Sequence, residues 1–150
     1  MSYEEKNITV SLSSSIFILG YFVVKWLQMF QGEGLIASRI YSLWATVIIA
    51  TIVVNIAGSI LTNIVMSIVH AIKTQSEDPE QFITDERDKL ISLKGSKISY
   101  IVFSIGVLIS MLTFVVGQPP LIMFSLIIFF SIFSEIIGSL TQVVIYRRGF

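Results

Sequence analysis

The chain has no cysteine, one histidine and three prolines, and only 13% of its residues are charged. Without cysteine there is no disulfide framework, no thiolate metal site and no cysteine nucleophile. With His70 as the single histidine, neither a histidine-based metal cluster nor a histidine dyad can be assembled. Charge is balanced as well as scarce: ten Lys and Arg face ten Asp and Glu, which removes the basic field that nucleic-acid binding requires. Soluble domains carry about 25% charged residues, so an ordinary soluble enzyme is excluded. The chemistry-bearing motifs G-x-x-x-x-G-K-S/T, G-x-G-x-x-G and G-x-S-x-G do not occur. Ser13, Ser14 and Ser15 lack a base partner and read as helix-packing residues. A metal site from His70, Glu77, Asp78 and Glu80 would need a folded loop that so polar a segment does not promise. No enzyme activity, no cofactor and no metal is expected.

What the chain has instead is apolar length. Hydrophobic residues make up 54% of its 150 positions, and the mean hydropathy is +0.84. A span needs about 20 mostly apolar residues to cross roughly 30 Å of hydrocarbon. Residues 7–24, 43–69 and 98–117 carry no charge, and 119–146 carries Glu135 alone. Backbone amides in lipid must be satisfied within the segment, and four strands are too few to close a barrel, so these are helices. The expected fold is an all-α membrane protein forming one domain. Its spans should run at about 8–29, 42–70, 98–117 and 120–146, with a loop and short helix at about 73–97. Glu4 and Glu5 precede the first span where a signal peptide would carry basic residues, and no A-x-A-like site follows it, so it is expected to be retained.

Orientation follows from basic residues in the short loops. Lys73, Arg87, Lys89, Lys94 and Lys97 lie between the second and third spans, and Arg147 and Arg148 follow the fourth. The first connection offers only Lys25 and Arg39, and the turn Gly117-Gln118-Pro119-Pro120 offers no basic residue. Both termini are therefore expected in the cytoplasm. Trp26, Tyr41 and Trp44 would mark the outer interface, and Tyr100 and Tyr146 the inner one.

Two stretches resemble each other: Asn55-Ile-Ala-Gly58-Ser59 with Leu61-Thr62-Asn63, and Glu135-Ile-Ile-Gly138-Ser139 with Leu140-Thr141-Gln142. They suggest two duplicated hairpins related by an axis along the membrane normal. The repeat sets Asn55 and Glu135 at similar depth near the bilayer midplane. A carboxylate there costs about 2.5–3.5 kcal/mol on insertion scales, so it should face the bundle interior and find a partner or a proton. Ser131, Ser134, Glu135, Gly138, Ser139 and Gln142 form one helical stripe, and Thr51, Asn55, Gly58, Ser59, Thr62 and Met66 form another. Small and polar stripes let membrane helices approach and hydrogen-bond, which predicts one seam between the second and fourth spans. The polar site would then comprise Glu135, Asn55, Asn63, Ser59, Thr62, Ser139 and Gln142. It reads as structural glue, as a protonatable site on a binding or conduction path, or as a contact between protomers.

After a polar linker around Pro79, Thr84 or Asp85 is placed to cap a helix, with acids in its first turn and Asp85 four residues before Lys89. This short helix is expected to lie at the cytoplasmic interface and run on into the third span, with Gly95 as a bend. Asp85, Glu86, Arg87, Asp88 and Lys89 read as a solvated helix start or, together with Arg147 and Arg148, as a cytoplasmic interaction surface, in which the arginines would meet the acids or a soluble partner would dock.

The run Asp85-Glu-Arg-Asp88 with Leu90-Ile91, Lys94-Gly95 and Tyr100, and the ending Tyr146-Arg147-Arg148-Gly149, resemble motifs of small bacterial four-transmembrane proteins of unknown function, the DUF2178-like group. The resemblance rests on these two motifs, while length and four-span layout agree along the chain. It implies a bacterial inner-membrane location and supplies no catalytic residue. Two functions are open at this point. One is an interaction or regulatory protein that presents the charged helix and basic tail to a cytoplasmic protein partner. The other is a minimal proton- or cation-coupled transporter or channel, as a homodimer, working through Glu135. Beyond these the expected partner is the lipid bilayer, with no nucleic acid. Reporters fused after Phe150 and within residues 76–81 should both report cytoplasm; a periplasmic signal from either would overturn the topology.

Overall fold

The computed structural model describes residues 3–32, 34–74 and 86–148, without the side chains at 3, 4, 59, 62, 63, 66 and 69–74. Four helices account for nearly all of it: α1 (Tyr3–Gln31), α2 (Ala37–Thr74), α3 (Glu86–Val115) and α4 (Pro120–Arg148). Each contains a stretch long and apolar enough to cross a membrane, and among the described residues there is no strand. The chain is thus an all-helical, multi-pass membrane protein.

The helices outrun their apolar cores. At about 1.5 Å per residue, the 30 residues of α3 exceed what the hydrocarbon needs, so its first turns project beyond it. The short helix expected before the third span is these first turns of α3: the helix is unbroken from Glu86 to Val115. Gly95 does not break it. Asp85, the expected cap, and the linker at 75–84 lie outside the described residues. The α3–α4 turn is built as its sequence implies. Gly117 takes φ +89°. The Gly117 amide donates to the Phe114 carbonyl and the Gln118 amide to the Thr113 carbonyl, both at 3.0 Å, a Schellman ending. Pro120, whose missing N–H is no loss in a first turn, then opens α4.

Helix α4 is the shared element. It packs against α3 on one side and α1 on the other, and α1 in turn packs against α2. The α3–α4 contact is the most intimate. A Cβ on Gly106 would meet the Phe130 ring, one on Gly95 would meet the Gln142 side chain, and one on Gly138 would meet Ser99 and, at 3.0 Å, the Gly95 carbonyl. Small residues admit this approach, and packing rather than water exclusion stabilises it, because lipid is as apolar as the side chains.

The stripe on α4 therefore serves α3, and the seam expected between the second and fourth spans does not form as such. On α2, Asn55 and Gly58 turn to α1: the Ser11 hydroxyl donates to Asn55 Oδ1 at 3.0 Å, and Gly58 lies against Val10. A stripe shows that a helix has a close-packing face without naming the helix that covers it. Contact between α2 and α4 is limited. Phe22, Leu43, Val47, Ile128, Ile132 and Ile136 form a cluster that joins α1, α2 and α4, and Tyr41 and Trp44 lie against Phe124 with centroids 5.1 and 5.9 Å apart. A two-fold axis exchanging the hairpins would require an α2–α3 contact to match α1–α4, and α2 and α3 are not a packed pair among the described residues.

Two glycine substitutions separate these roles. Gly138→Ala should lower stability by about 1–3 kcal/mol through overpacking, whereas Gly20→Ala, with open space around it, should raise it by about 0.5–1 kcal/mol through chain entropy. Denaturation in detergent reads both, and equal effects would contradict the close α3–α4 contact.

Candidate functional site

Because α2 and α3 flank α4 without packing against each other among the described residues, a groove remains between them. Its floor is Ile127, Ile128, Ser131, Ile132 and Glu135 of α4; Trp44, Val47, Ile48, Thr51 and Ile52 of α2 form one wall, and Phe103 of α3 stands on the other. The volume is about 240 Å³. Placing a carboxylate here follows from helix period: Ser131 and Glu135 are one turn apart and share a face, while Ser134 and Gly138 rotate toward the buried side of α4. The Thr51 hydroxyl lines the groove and donates back to the Val47 carbonyl at 2.9 Å. Glu135 is half-buried, and among the described residues no side chain makes a hydrogen bond or ion pair with it. An isolated carboxylate between apolar walls can hold a proton or attract a cation.

The remaining polar residues expected to share this site are dispersed. Asn55 pairs with Ser11 on α1. Gln142 fills the space over Gly95 on α3, and Ser139 is half-buried on α4. The side chains of Ser59, Thr62 and Asn63 lie outside the described residues. Trp44, Thr51 and Phe103 line the groove without having been singled out as a site; only Thr51, within the α2 stripe, carried a signal.

At the end of the bundle where the chain starts, the charged groups bind the helices together. The Tyr146 hydroxyl donates to Asp88 Oδ1 at 2.7 Å, linking the end of α4 to the start of α3. Arg147 Nε lies 3.9 Å from Glu5 Oε1 on α1. The arginine expected to meet the α3 acids thus reaches Glu5, and the tail meets Asp88 through Tyr146. Glu5 was overlooked as a contact residue, although a first span leaving from the same membrane face as the tail was signal enough. With the Arg147 side chain 68% exposed, the ion pair is worth about 0–1 kcal/mol; the tyrosine–carboxylate bond is the stronger tie. Glu86, Arg87, Lys89 and Arg148 are exposed, while Asp85 lies outside the described residues. Among the described residues, no three His, Asp or Glu side chains gather to hold a metal; Glu77, Asp78, Glu80 and the His70 side chain lie outside them.

Comparison with protein-family models, with curated proteins and with solved structures finds no match. The functional reading rests on the chain's own residues.

A double-mutant cycle on Asp88→Asn and Tyr146→Phe should show coupling of about 0.5–1.5 kcal/mol, since the pair shares one hydrogen bond. Strict additivity would mean that the contact contributes nothing to stability.

Proposed function

We propose that this chain is a minimal proton- or cation-coupled transporter or channel of the bacterial inner membrane, working through the Glu135 carboxylate. The observation that carries the reading is a carboxylate on a helix apolar enough to cross a membrane, lining a groove of about 240 Å³, with no hydrogen-bond donor to it among the described residues. A carboxylate that served only as glue would be held by a neighbouring hydroxyl or amide, as Asn55 is by Ser11. The reading takes both termini as cytoplasmic, in keeping with the loop charges and the DUF2178-like motifs. It takes the protein as a homodimer and the two hairpins as a duplication whose copies have diverged in packing.

A second reading, an interaction or regulatory protein, is favoured by the start of α3. Glu86, Arg87 and Lys89 are exposed there, beside Leu90 and Leu93, which are 52% and 68% exposed, and a cytoplasmic partner would dock on that turn. The tail adds less to such a surface than its charge suggests, because Tyr146 and Arg147 engage Asp88 and Glu5.

Glu135→Gln separates the two. In proteoliposomes, wild-type protein should speed the decay of an imposed pH or monovalent-cation gradient, and the Gln variant should lose that acceleration while keeping its helicity and unfolding midpoint. Wild-type vesicles no leakier than empty ones would remove the transport reading and leave the interaction reading.

A further inference from the structure

The lining of the groove over Glu135 narrows what the groove can hold. Among the described residues Glu135 is its single charged group, Thr51 and Ser131 bring its only hydroxyls, and the rest is aliphatic or aromatic. A hard divalent cation takes about six oxygen ligands or more. The groove offers one carboxylate and two hydroxyls, and the Thr51 hydroxyl is already turned to the Val47 carbonyl. An organic ammonium asks for less: one counter-charge, and apolar or aromatic surface against the rest of it.

Register supplies the aromatic surface beside the carboxylate. Across the antiparallel α3–α4 pair, Ser99 lies against Gly138 and Gly106 against Phe130. Counting inward from both contacts sets Phe103 within about two residues of the level of Glu135, or roughly 3 Å of helix rise, and both residues line the groove. From Glu135 the groove runs back along α4 as far as Ile127, about 12 Å. Trp44, which lies beside Phe124, supplies a second ring at that far end, and Ile48 and Ile128 line the space between. The charge is thus confined to one end and the apolar surface continues to the other.

We infer that the groove binds a monovalent organic cation with an apolar body. Its ammonium lies between the Glu135 carboxylate and the Phe103 ring, and its apolar part follows Ile48, Ile127 and Ile128 toward Trp44. The Ser131 hydroxyl, one turn from Glu135 on the same face, accepts from the ammonium where this carries an N–H. Half-burial of Glu135 strengthens the attraction by keeping water from both charges. The inference rests on Glu135 as the working group of the proposed function and names the class of cation that the site takes.

The test titrates full-length protein in detergent with benzyltrimethylammonium and with neopentylbenzene, the uncharged molecule of the same shape, and follows binding by calorimetry. The ammonium should bind at least about tenfold more tightly than the hydrocarbon. Glu135→Gln should abolish that preference. Phe103→Leu should weaken ammonium binding by roughly fivefold or more, whereas Phe103→Tyr, which keeps the ring, should leave it unchanged, as should Glu86→Gln at the exposed start of α3. If the Glu135 variant does not fold, the two Phe103 variants are read against Glu86→Gln. Uptake of the ammonium into proteoliposomes keeps this inference apart from transport itself: binding without uptake retains the site and removes the transport reading. Decay of a proton or sodium gradient through Glu135 without ammonium binding retains transport and overturns the organic cation. The proposal also falls if the hydrocarbon binds as well as the ammonium, if Glu135→Gln or Phe103→Leu keeps the wild-type preference, or if neither probe binds, as when a second copy of the chain covers the groove.

Discussion

Helices α3 and α4 touch as closely as they do because Gly95, Gly106 and Gly138 put no side chain between them. In a bilayer, where burying an apolar face against another helix gains little over burying it against lipid, such close approach is the main source of specific packing. Once α4 is committed to α3 through these positions, its remaining surface is divided between α1, a limited contact with α2 and open groove. Helix α2, held chiefly by α1, is left at the flank. The groove over Ser131 and Glu135 is therefore a product of where the glycines are, and so is the isolation of the carboxylate within it.

Polar groups in the chain are sorted by whether the fold gives them a partner. Ser110 and Ser125 are almost wholly buried in apolar surroundings, and each hydroxyl is returned to its own helix, donating to the Gly106 and Leu121 carbonyls at 2.7 and 2.8 Å. Ser11 and Asn55 satisfy each other across α1 and α2. Asp88 and Tyr146 meet beyond the apolar stretches, where ordering two groups in water yields a modest gain that nevertheless fixes the open end of the α3–α4 hairpin. Glu135 belongs to none of these arrangements, which is what sets it apart from the structural polar residues.

Much of this was legible in the chain before folding. The four spans follow from uncharged length, and the α3–α4 turn from Gly117 and the prolines behind it, because both depend on local rules that the sequence states directly. The stripes of small residues were legible as packing faces. Their pairing was not: Asn55 and Glu135 occupy similar places in similar motifs, yet one faces Ser11 on α1 and the other an open groove. The partner of a helix face is decided by the relative placement of all four helices, which no periodicity records. The same limit hid Glu5, whose contact with Arg147 joins residues near the two ends of the described chain.

The turn at Gly117 has a consequence for how the protein enters a membrane. Between Val115 and Pro120 only four residues connect α3 to α4, so one span cannot settle across the bilayer while the other waits outside it. The pair is therefore bound to settle together, as a hairpin. Gly117-Gln118-Pro119-Pro120 carries no charge, and its two prolines have no backbone N–H to desolvate. The tip of the hairpin is thus a segment with little polarity to desolvate, and the Schellman bonds keep its two remaining amides occupied.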